Sequence, residues 1–259
     1  MSLQHVCVAM LTAAFLSSTG RAAGAQSIES ALAKLTSGVD SVRLKSLDQL
    51  ARLSATKHFV MCGPTASDEI KKALIAALEN ENTLIQTGER DEAEGEFHGN
   101  LIGCVAGIRD EKSVRGLVGA IDTGWGAISG ILNLGDAAVP EVETALRTST
   151  NRTTVRAISA MTLGSFLAPT ASMPVSANSR MSIRRALLDA ASDRHPLVRA
   201  GAIRSLATFS DAEVRRVVRA DASFDTGMKI GSEPRKYPVG NAARNWIKQD
   251  SMRSRKLIP

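Results

Sequence analysis

Aromatic side chains are scarce in this chain of 259 residues. Phe, Trp and Tyr together make up 3% of it, and the only indole and phenol groups belong to Trp125, Trp246 and Tyr237. Proteins that bind sugars or single-stranded nucleic acid by stacking need several exposed aromatic rings. The composition therefore argues against a protein of that kind.

Long apolar runs and the common catalytic motifs are absent as well. No uninterrupted apolar run approaches the roughly 18 residues that a membrane-spanning helix needs, so we expect no transmembrane anchor. The sequence has no H-E-x-x-H, C-x-x-C, G-x-S-x-G or phosphate-loop motif. We therefore expect a protein that is not an enzyme and needs no cofactor or metal.

Histidines are few, and they leave one enzymatic alternative open. Glu94 and His98 stand four positions apart and could share a helix face, but without a third ligand we expect an incidental surface pair. Together with His58 and Cys62, His98 also lies in a region where a catalytic site could form. Activation of Cys62 would need an orienting partner that the sequence does not identify.

The first 25 residues have the pattern of a secretory signal peptide. A short apolar run over residues 6–16 is followed by small residues, with Ala23 and Ala25 at positions −3 and −1 of a cleavage site. We expect cleavage after Ala25 and a secreted or periplasmic mature chain. A buried N-terminal helix is the alternative interpretation of this segment.

Cleavage would leave two of the three cysteines, Cys62 and Cys104. In an oxidising compartment these two residues could form one disulfide bond. They lie 42 residues apart, about one repeat in the organisation described next, so stacked repeats would bring them near each other. The alternative is that each is a small apolar residue packed separately in the core.

Three segments share a pattern in which Val-Arg is followed by apolar residues four and seven positions after the Arg. The three pairs are Val42-Arg43, Val155-Arg156 and Val198-Arg199. These offsets place the apolar residues on one face of a helix. Near the start of each segment stands a short polar residue that can cap free backbone N–H groups, namely Asp40, Asn151 and Asp193.

A second pattern joins consecutive helices. In the segment 134–146 a helix is predicted to end at Gly135, and Asp136 is predicted to cap the next one. Asp110 and Asp211 stand in similar segments. Because a new helix starts directly after the previous one stops, the chain must turn sharply at each of these points.

At these residues the chain resembles HEAT-repeat proteins with short repeats, of the type also seen in bilin-lyase-like proteins. The resemblance implies an all-α fold over residues 26–220, a right-handed α-α superhelix of about five to six helix pairs. A C-terminal loop, a last helix and a basic tail would follow at 221–259. Each pair is too small to fold alone, so stacking must stabilise the array. Seven glycines between 103 and 130 depart from the pattern and leave the repeat boundaries in 99–135 open.

The predicted helices follow from these two patterns and the apolar periodicity between them. They cover residues 27–37 and 40–54, 67–79 and 91–108, 112–121 and 124–134, 137–147 and 152–167, 181–192 and 196–209, and 211–220 with a last helix near 240–250. Longer connections are predicted at 55–66, at 168–180, which reads as a flexible insertion, and at 221–238.

Charge changes sign along the chain. Residues 26–99 hold 8 basic and 12 acidic residues, whereas residues 152–259 hold 19 basic and 8 acidic ones. The resemblance implies that Arg43, Arg156 and Arg199 make internal polar contacts. The candidate binding residues for a phosphate or carboxylate partner are Arg184, Arg185, Arg215, Arg216 and Arg219.

Two functions are compatible with these observations. The leading hypothesis is a non-catalytic scaffold of the cell envelope, whose solenoid surface binds a protein partner. The alternative is a HEAT-type protein that binds nucleic acid or processes bases with its arginine-rich C-terminal half. That alternative requires an intracellular location, so the export signal argues against it. The partner, the binding face and the oligomeric state stay open.

Overall fold

All regular secondary structure in the described part of the chain is helical, which confirms the all-α prediction. The computed structural model describes residues 29–35, 40–53, 62–89, 96–168, 171, 173–209, 211–222, 242–245 and 247–248. The predicted signal peptide, residues 1–25, lies outside these ranges, as do most of the predicted C-terminal loop and the basic tail.

Two compact units make up the chain. The first ends at Ile108 and the second begins at Arg109. The interpretation of residues 26–220 as one continuous domain stays a prediction.

The described residues of unit 1 form four helices. They are α1 (29–34), α2 (Asp40–Leu53), α3 (Asp68–Thr87) and α4 (Glu96–Ile108). Helix α3 begins after Ser67, whose hydroxyl accepts from the Ile70 N–H. It ends before Gly88, whose φ of +75° lies in the left-handed region that glycine adopts readily.

Helix α3 is eight residues longer at its C-terminal end than the predicted helix 67–79. The polar residues that follow position 79 belong to the helix. Glu81 and Asn82 are buried, and each finds a partner on another helix. Pairing between distant elements therefore decides the length of this helix.

The core of unit 1 lies where α4 packs against α2 and α3. Its largest fully buried side chains include Leu74 and Leu78 of α3 and Leu101 of α4. The end of α4 lies directly on the segment before α3, because a Cβ atom at Gly107 would collide with the carbonyl oxygen of Cys62. Glycine is required at that close approach.

Unit 2 contains seven labelled helices. They are α5 (Val114–Gly119), α6 (Trp125–Leu132), α7 (Val139–Arg147), α8 (Thr153–Phe166), α9 (Ala177–Ala190), α10 (Pro196–Ser205) and α11 (Ala212–Ala222). Short 3-10 turns, Glu111–Ser113, Gly135–Ala138 and Leu206–Thr208, flank α5, α7 and α10. Residues 242–245 and 247–248 are also helical, within the predicted last helix.

Helices of unit 2 that follow one another in the chain pack as pairs, α5 with α6, α7 with α8 and α9 with α10. In addition, α7 packs against α5 and α9, and α8 packs against α6 and α10. The first helices of the pairs therefore form one row and the second helices form another. Each pair buries its apolar face against the next pair, as in repeat proteins.

The contact between α8 and α10 depends on small residues. A Cβ atom at Gly201 would lie 2.8 Å from the carbonyl oxygen of Ala157, and one at Gly164 would collide with the side chain of Ser205. The Ser205 hydroxyl donates to the carbonyl oxygen of Ala160 at 2.8 Å. The two backbones therefore touch along this contact.

Helix α9 begins four residues before the predicted start, so the end of the predicted flexible insertion, 168–180, is helical. The Ser176 hydroxyl accepts from the Ser179 N–H and caps this helix. Asp136, predicted to cap α7, instead accepts from the Ser176 N–H at 2.9 and 3.1 Å. Hydrogen bonds from the Ser179 hydroxyl and the Ser176 N–H hold the pKa of Asp136 below its ordinary value.

Two residues predicted to cap helix N-termini, Asn151 and Asp193, make other hydrogen bonds instead. The Asn151 side chain donates to the carbonyl oxygen of Ala145 at 2.9 Å, so it caps the end of α7 rather than the start of α8. Asp193 accepts from the His195 N–H at 2.8 Å, and His195 itself occupies the cap position of α10. Asp193 also pairs with Arg156 of α8, so its side chain links α8 to the start of α10, which the sequence pattern did not indicate.

Candidate functional site

Arg43 is a structural residue of unit 1. It is 3% exposed, and its Nη1 atom lies 2.8 Å from Oε2 of Glu81 on α3. Its guanidinium group also lies 4.2 Å from the centroid of the Phe97 ring. A buried, paired arginine of this kind stabilises packing and cannot serve as a surface ligand site.

Arg156 has the equivalent role in unit 2. It is 7% exposed, forms an ion pair with Asp193, and donates from Nε to the carbonyl oxygen of Leu146 at 3.0 Å. The ion pairs of Arg43 and Arg156 join residues 38 and 37 positions apart, which is the length of one helix pair. Arg199 donates to the backbone carbonyl of Asp193 at 2.7 Å. All three arginines make internal contacts.

A disulfide bond joins Cys62 to Cys104 in unit 1. Their Cα atoms are 4.5 Å apart, and both residues are fully buried. The bond closes a chain segment that contains the whole of α3. Because its sulfur is shared with Cys104, Cys62 is not available as the nucleophile of the enzymatic alternative.

The prediction of an exposed pair between Glu94 and His98 is wrong for His98. This histidine is 7% exposed, and its Nε2 atom lies 2.9 Å from the Asn82 Oδ1 atom. It follows Phe97 on the side of α4 that packs into the unit, so it is a core residue. Glu94 and His58 lie outside the described residues. Within those residues no three His, Cys, Asp or Glu side chains are placed to hold a metal ion.

Arg184 of α9 forms ion pairs with two acidic residues at the start of α11. Its Nε and Nη2 atoms donate to the two carboxylate oxygens of Asp211 at 3.0 and 2.8 Å, and Nη2 also donates to Glu213 at 2.7 Å. Asp211 in turn accepts from the Glu213 and Val214 N–H groups, both at 3.1 Å, and so caps α11 as predicted.

The charges of this network reinforce one another. The hydrogen bonds from Arg184 hold the pKa of Asp211 below its ordinary value. The hydrogen bonds to Asp211 and then to Glu213 raise the pKa of Arg184. Arg184 and Asp211 are therefore ionised at neutral pH, and the network is a fixed link between α9 and α11.

The five candidate arginines do not have equal access to a ligand. Arg184 is occupied by two carboxylates and is only 19% exposed, so we reassign it from a binding to a structural role. Arg215 is half-buried. Arg185, Arg216 and Arg219 are exposed. Arg185 follows Arg184 directly, and Arg216 is one helical turn beyond Glu213, so each lies close in sequence to a member of the network that links α9 to α11.

Two further exposed residues of α9 lie one helical turn before Arg184 and Arg185. Met181 is 61% exposed and stands four residues before Arg185, and Arg180 is exposed one turn before Arg184. We call these two residues, together with Arg185, Arg216 and Arg219, the α9–α11 surface. The exposure of Met181 could have been predicted from the sequence, because Met181 lies off the helix face that carries the buried residues Ile183 and Leu187.

Other large apolar side chains are exposed elsewhere in unit 2. They are Trp125 at 81%, Met173 at 48% and Met161 at 37%. Exposed Met and Trp side chains are more frequent at protein interfaces than on the remaining surface. The surface of this unit is thus rich in residue types that favour protein contacts.

Comparison with known proteins yields no relative, since no family model matches the chain and no curated protein matches it either. Among the described helices, none has the length and apolar character needed to cross a membrane.

Proposed function

We propose that this chain is a non-catalytic scaffold of the cell envelope that binds another protein through the α9–α11 surface. In this proposal the helix pairs are HEAT-like repeats that wind into a right-handed superhelix. The two rows of stacked helices in unit 2 support the repeat organisation. The contacts of Arg43 and Arg156, made one helix pair apart, support it as well.

The observation that carries the binding role is the composition of the exposed side of α9 and α11. Met181 and Arg185 lie one turn apart on α9, and Arg216 and Arg219 lie on α11. Arg and Met are enriched at protein interfaces. The Arg184 network holds the two helices together before any partner arrives, so little ordering is needed on binding.

The disulfide bond supports the proposed location. Disulfides persist in oxidising compartments such as the periplasm and the extracellular space, and they are rare in the cytosol. Cys62 and Cys104 are fully buried, which is typical of a structural cross-link rather than of a reactive pair. This agrees with export directed by the predicted signal peptide, 1–25.

Nucleic acid remains the second candidate partner, because exposed arginines also suit phosphate groups. Two features disfavour it. The α9–α11 surface contains no aromatic side chain on which a base could stack. The carboxylates of Asp211 and Glu213, 43% and 51% exposed, lie beside the arginines and would repel a phosphate backbone.

The proposed function can be tested with the mature chain as bait in envelope extract at low salt. The surface variant carries Arg185→Glu and Arg216→Glu, and the matched control carries Lys112→Glu and Arg115→Glu, two exposed residues at the start of α5 and in the turn before it. We expect the wild type and the control to retain the same partner protein and the surface variant to lose it. Equal recovery by all three proteins, or no partner above background, contradicts the proposal.

A further inference from the structure

We infer that the partner segment that docks on the α9–α11 surface is an acidic stretch of protein that also carries an apolar side chain. This inference rests on the proposed function and adds the chemistry of the partner. Three features of the surface lead to it, namely its exposed arginines, the carboxylates of Asp211 and Glu213 and the exposed methionine.

The first feature is a set of exposed arginines that form no salt bridge within the part of the chain that the structure describes. Arg180, Arg185, Arg216 and Arg219 are exposed, and none forms a salt bridge with another described residue. A guanidinium group binds a carboxylate with two parallel hydrogen bonds. A partner that supplies carboxylates can therefore pair with these arginines without breaking an existing ion pair.

The second feature is the pair of carboxylates held beside the arginines. Asp211 and Glu213 stay at the surface because Arg184 fixes them there. A phosphate backbone carries negative charge at regular close intervals and would have to pass these groups within the screening length of about 8 Å. A protein segment can place its acidic residues over the arginines and a neutral or basic residue over Asp211 and Glu213.

The third feature is Met181, which lies directly after Arg180 and one turn before Arg185. Its side chain is flexible and polarisable, so it adapts to apolar groups of different shape. An apolar residue in the partner segment would cover it and remove it from water. A polyphosphate or a nucleic-acid backbone offers no apolar group for this contact.

The test measures the binding of labelled short peptides to the mature chain by fluorescence anisotropy. One peptide places Glu and Leu three and four positions apart so that both lie along one helix face, and a second peptide of equal charge has Ser in place of each Leu. The comparison polyanions are polyphosphate and single-stranded DNA of matched charge. Circular dichroism spectra establish that every variant is folded.

We expect the Glu/Leu peptide to bind about tenfold more tightly than the Glu/Ser peptide, and Met181→Ser to abolish that difference. The variant with Arg185→Glu and Arg216→Glu should lose about tenfold or more in affinity, whereas the control with Lys112→Glu and Arg115→Glu should retain it. The Glu/Leu peptide should also displace the partner captured in the envelope extract.

Three results overturn the inference. One is tighter binding of polyphosphate or DNA than of the Glu/Leu peptide. A second is equal binding of both peptides by the wild type. A third is salt-sensitive self-association through the same arginines, seen by light scattering, because the occupant is then a second copy. If the captured partner depends on Arg185 and Arg216 but the acidic peptide does not bind, this inference fails and the proposed function stands.

Discussion

Arg43 and Glu81 form an ion pair inside unit 1, with 2.8 Å between Nη1 and Oε2 and with side chains 4% and 3% exposed. The pair joins α2 to α3, and Phe97 of α4 covers the guanidinium group. Three helices therefore meet at one buried charge. Removing the carboxylate takes this ion pair away from a buried guanidinium group, and the loss costs more stability than the intact pair contributes.

The first prediction concerns this pair. Glu81→Leu should lower the free energy of unfolding by about 3–5 kcal/mol, as measured by chemical denaturation. The double variant Arg43→Met with Glu81→Leu should recover most of that loss, because no buried charge is left. Glu79→Leu, an exposed position on the same helix, serves as the control and should change stability by less than about 0.5 kcal/mol. If Glu79→Leu and Glu81→Leu lowered the free energy of unfolding equally, the buried ion pair would be contradicted.

The second prediction concerns the disulfide between Cys62 and Cys104. Closure of this 42-residue separation should stabilise the protein by about 4 kcal/mol, so a reducing agent should lower the midpoint of unfolding. The mature chain has no other cysteine if cleavage follows Ala25, so a thiol assay of the unfolded protein should find no free thiol. A variant with both cysteines changed to Ala should be insensitive to reductant. Two free thiols in the native protein would refute the cross-link.

The third prediction compares the same substitution at two glycines. Gly201→Ala should destabilise the protein by about 1–3 kcal/mol, because its Cβ atom would press on the carbonyl oxygen of Ala157 in α8. Gly99→Ala on α4 has no atom within 4 Å of the new Cβ, so it should stabilise by up to about 1 kcal/mol through helix propensity. Thermal unfolding measures both. A stabilising Gly201→Ala would mean that α8 and α10 are not in backbone contact.

The fourth prediction concerns acid. The pKa of Asp211 is lowered in the folded state, chiefly by Arg184, so its contribution to stability is present at neutral pH. That contribution should begin to disappear below the ordinary aspartate pKa of about 3.9 and be lost as the pH falls through the lowered value. The protection factors of the α11 amides, which are exchange rates corrected for the intrinsic pH dependence of exchange, should therefore fall in acid.

Asp211→Asn provides the control for this pH dependence. The variant should exchange faster in α11 at neutral pH and should show a weaker dependence on acid, because the titrating group is gone. Hydrogen exchange in α8, which makes none of the Asp211 hydrogen bonds, should respond equally in both proteins. If acid lowered the protection of the α11 amides equally in Asp211→Asn and in the wild type, the ionised Asp211 would not be the group that stabilises this helix.

Much of the helical organisation could be predicted from the sequence. The offsets after Arg43, Arg156 and Arg199 located α2, α8 and α10, because the apolar face of a helix repeats over neighbouring positions. Asp211 could be predicted as an N-terminal cap because the N–H groups that donate to it belong to residues only two and three positions away. Patterns of this kind depend only on nearby residues.

The candidate site was only partly predictable. Arg185, Arg216 and Arg219 are exposed, but Arg184 is not available for binding, and the composition alone gave no means of separating them. The separation depends on Asp211, which lies 27 residues further along the chain. Whether an arginine faces a partner or an internal carboxylate is decided by where the fold places the start of α11 relative to α9.

The approximate positions of the helices, the repeat of their apolar faces and the accumulation of charge thus follow from the amino-acid order alone. The continuation of α3 through the buried Glu81 and Asn82, and the hydrogen bond that Asp136 accepts from Ser176, 40 residues later, depend on packing between distant elements. This difference arises because helix formation is governed by neighbours within a turn or two. A polar side chain acquires its role from whatever partner the stacking of helix pairs places against it.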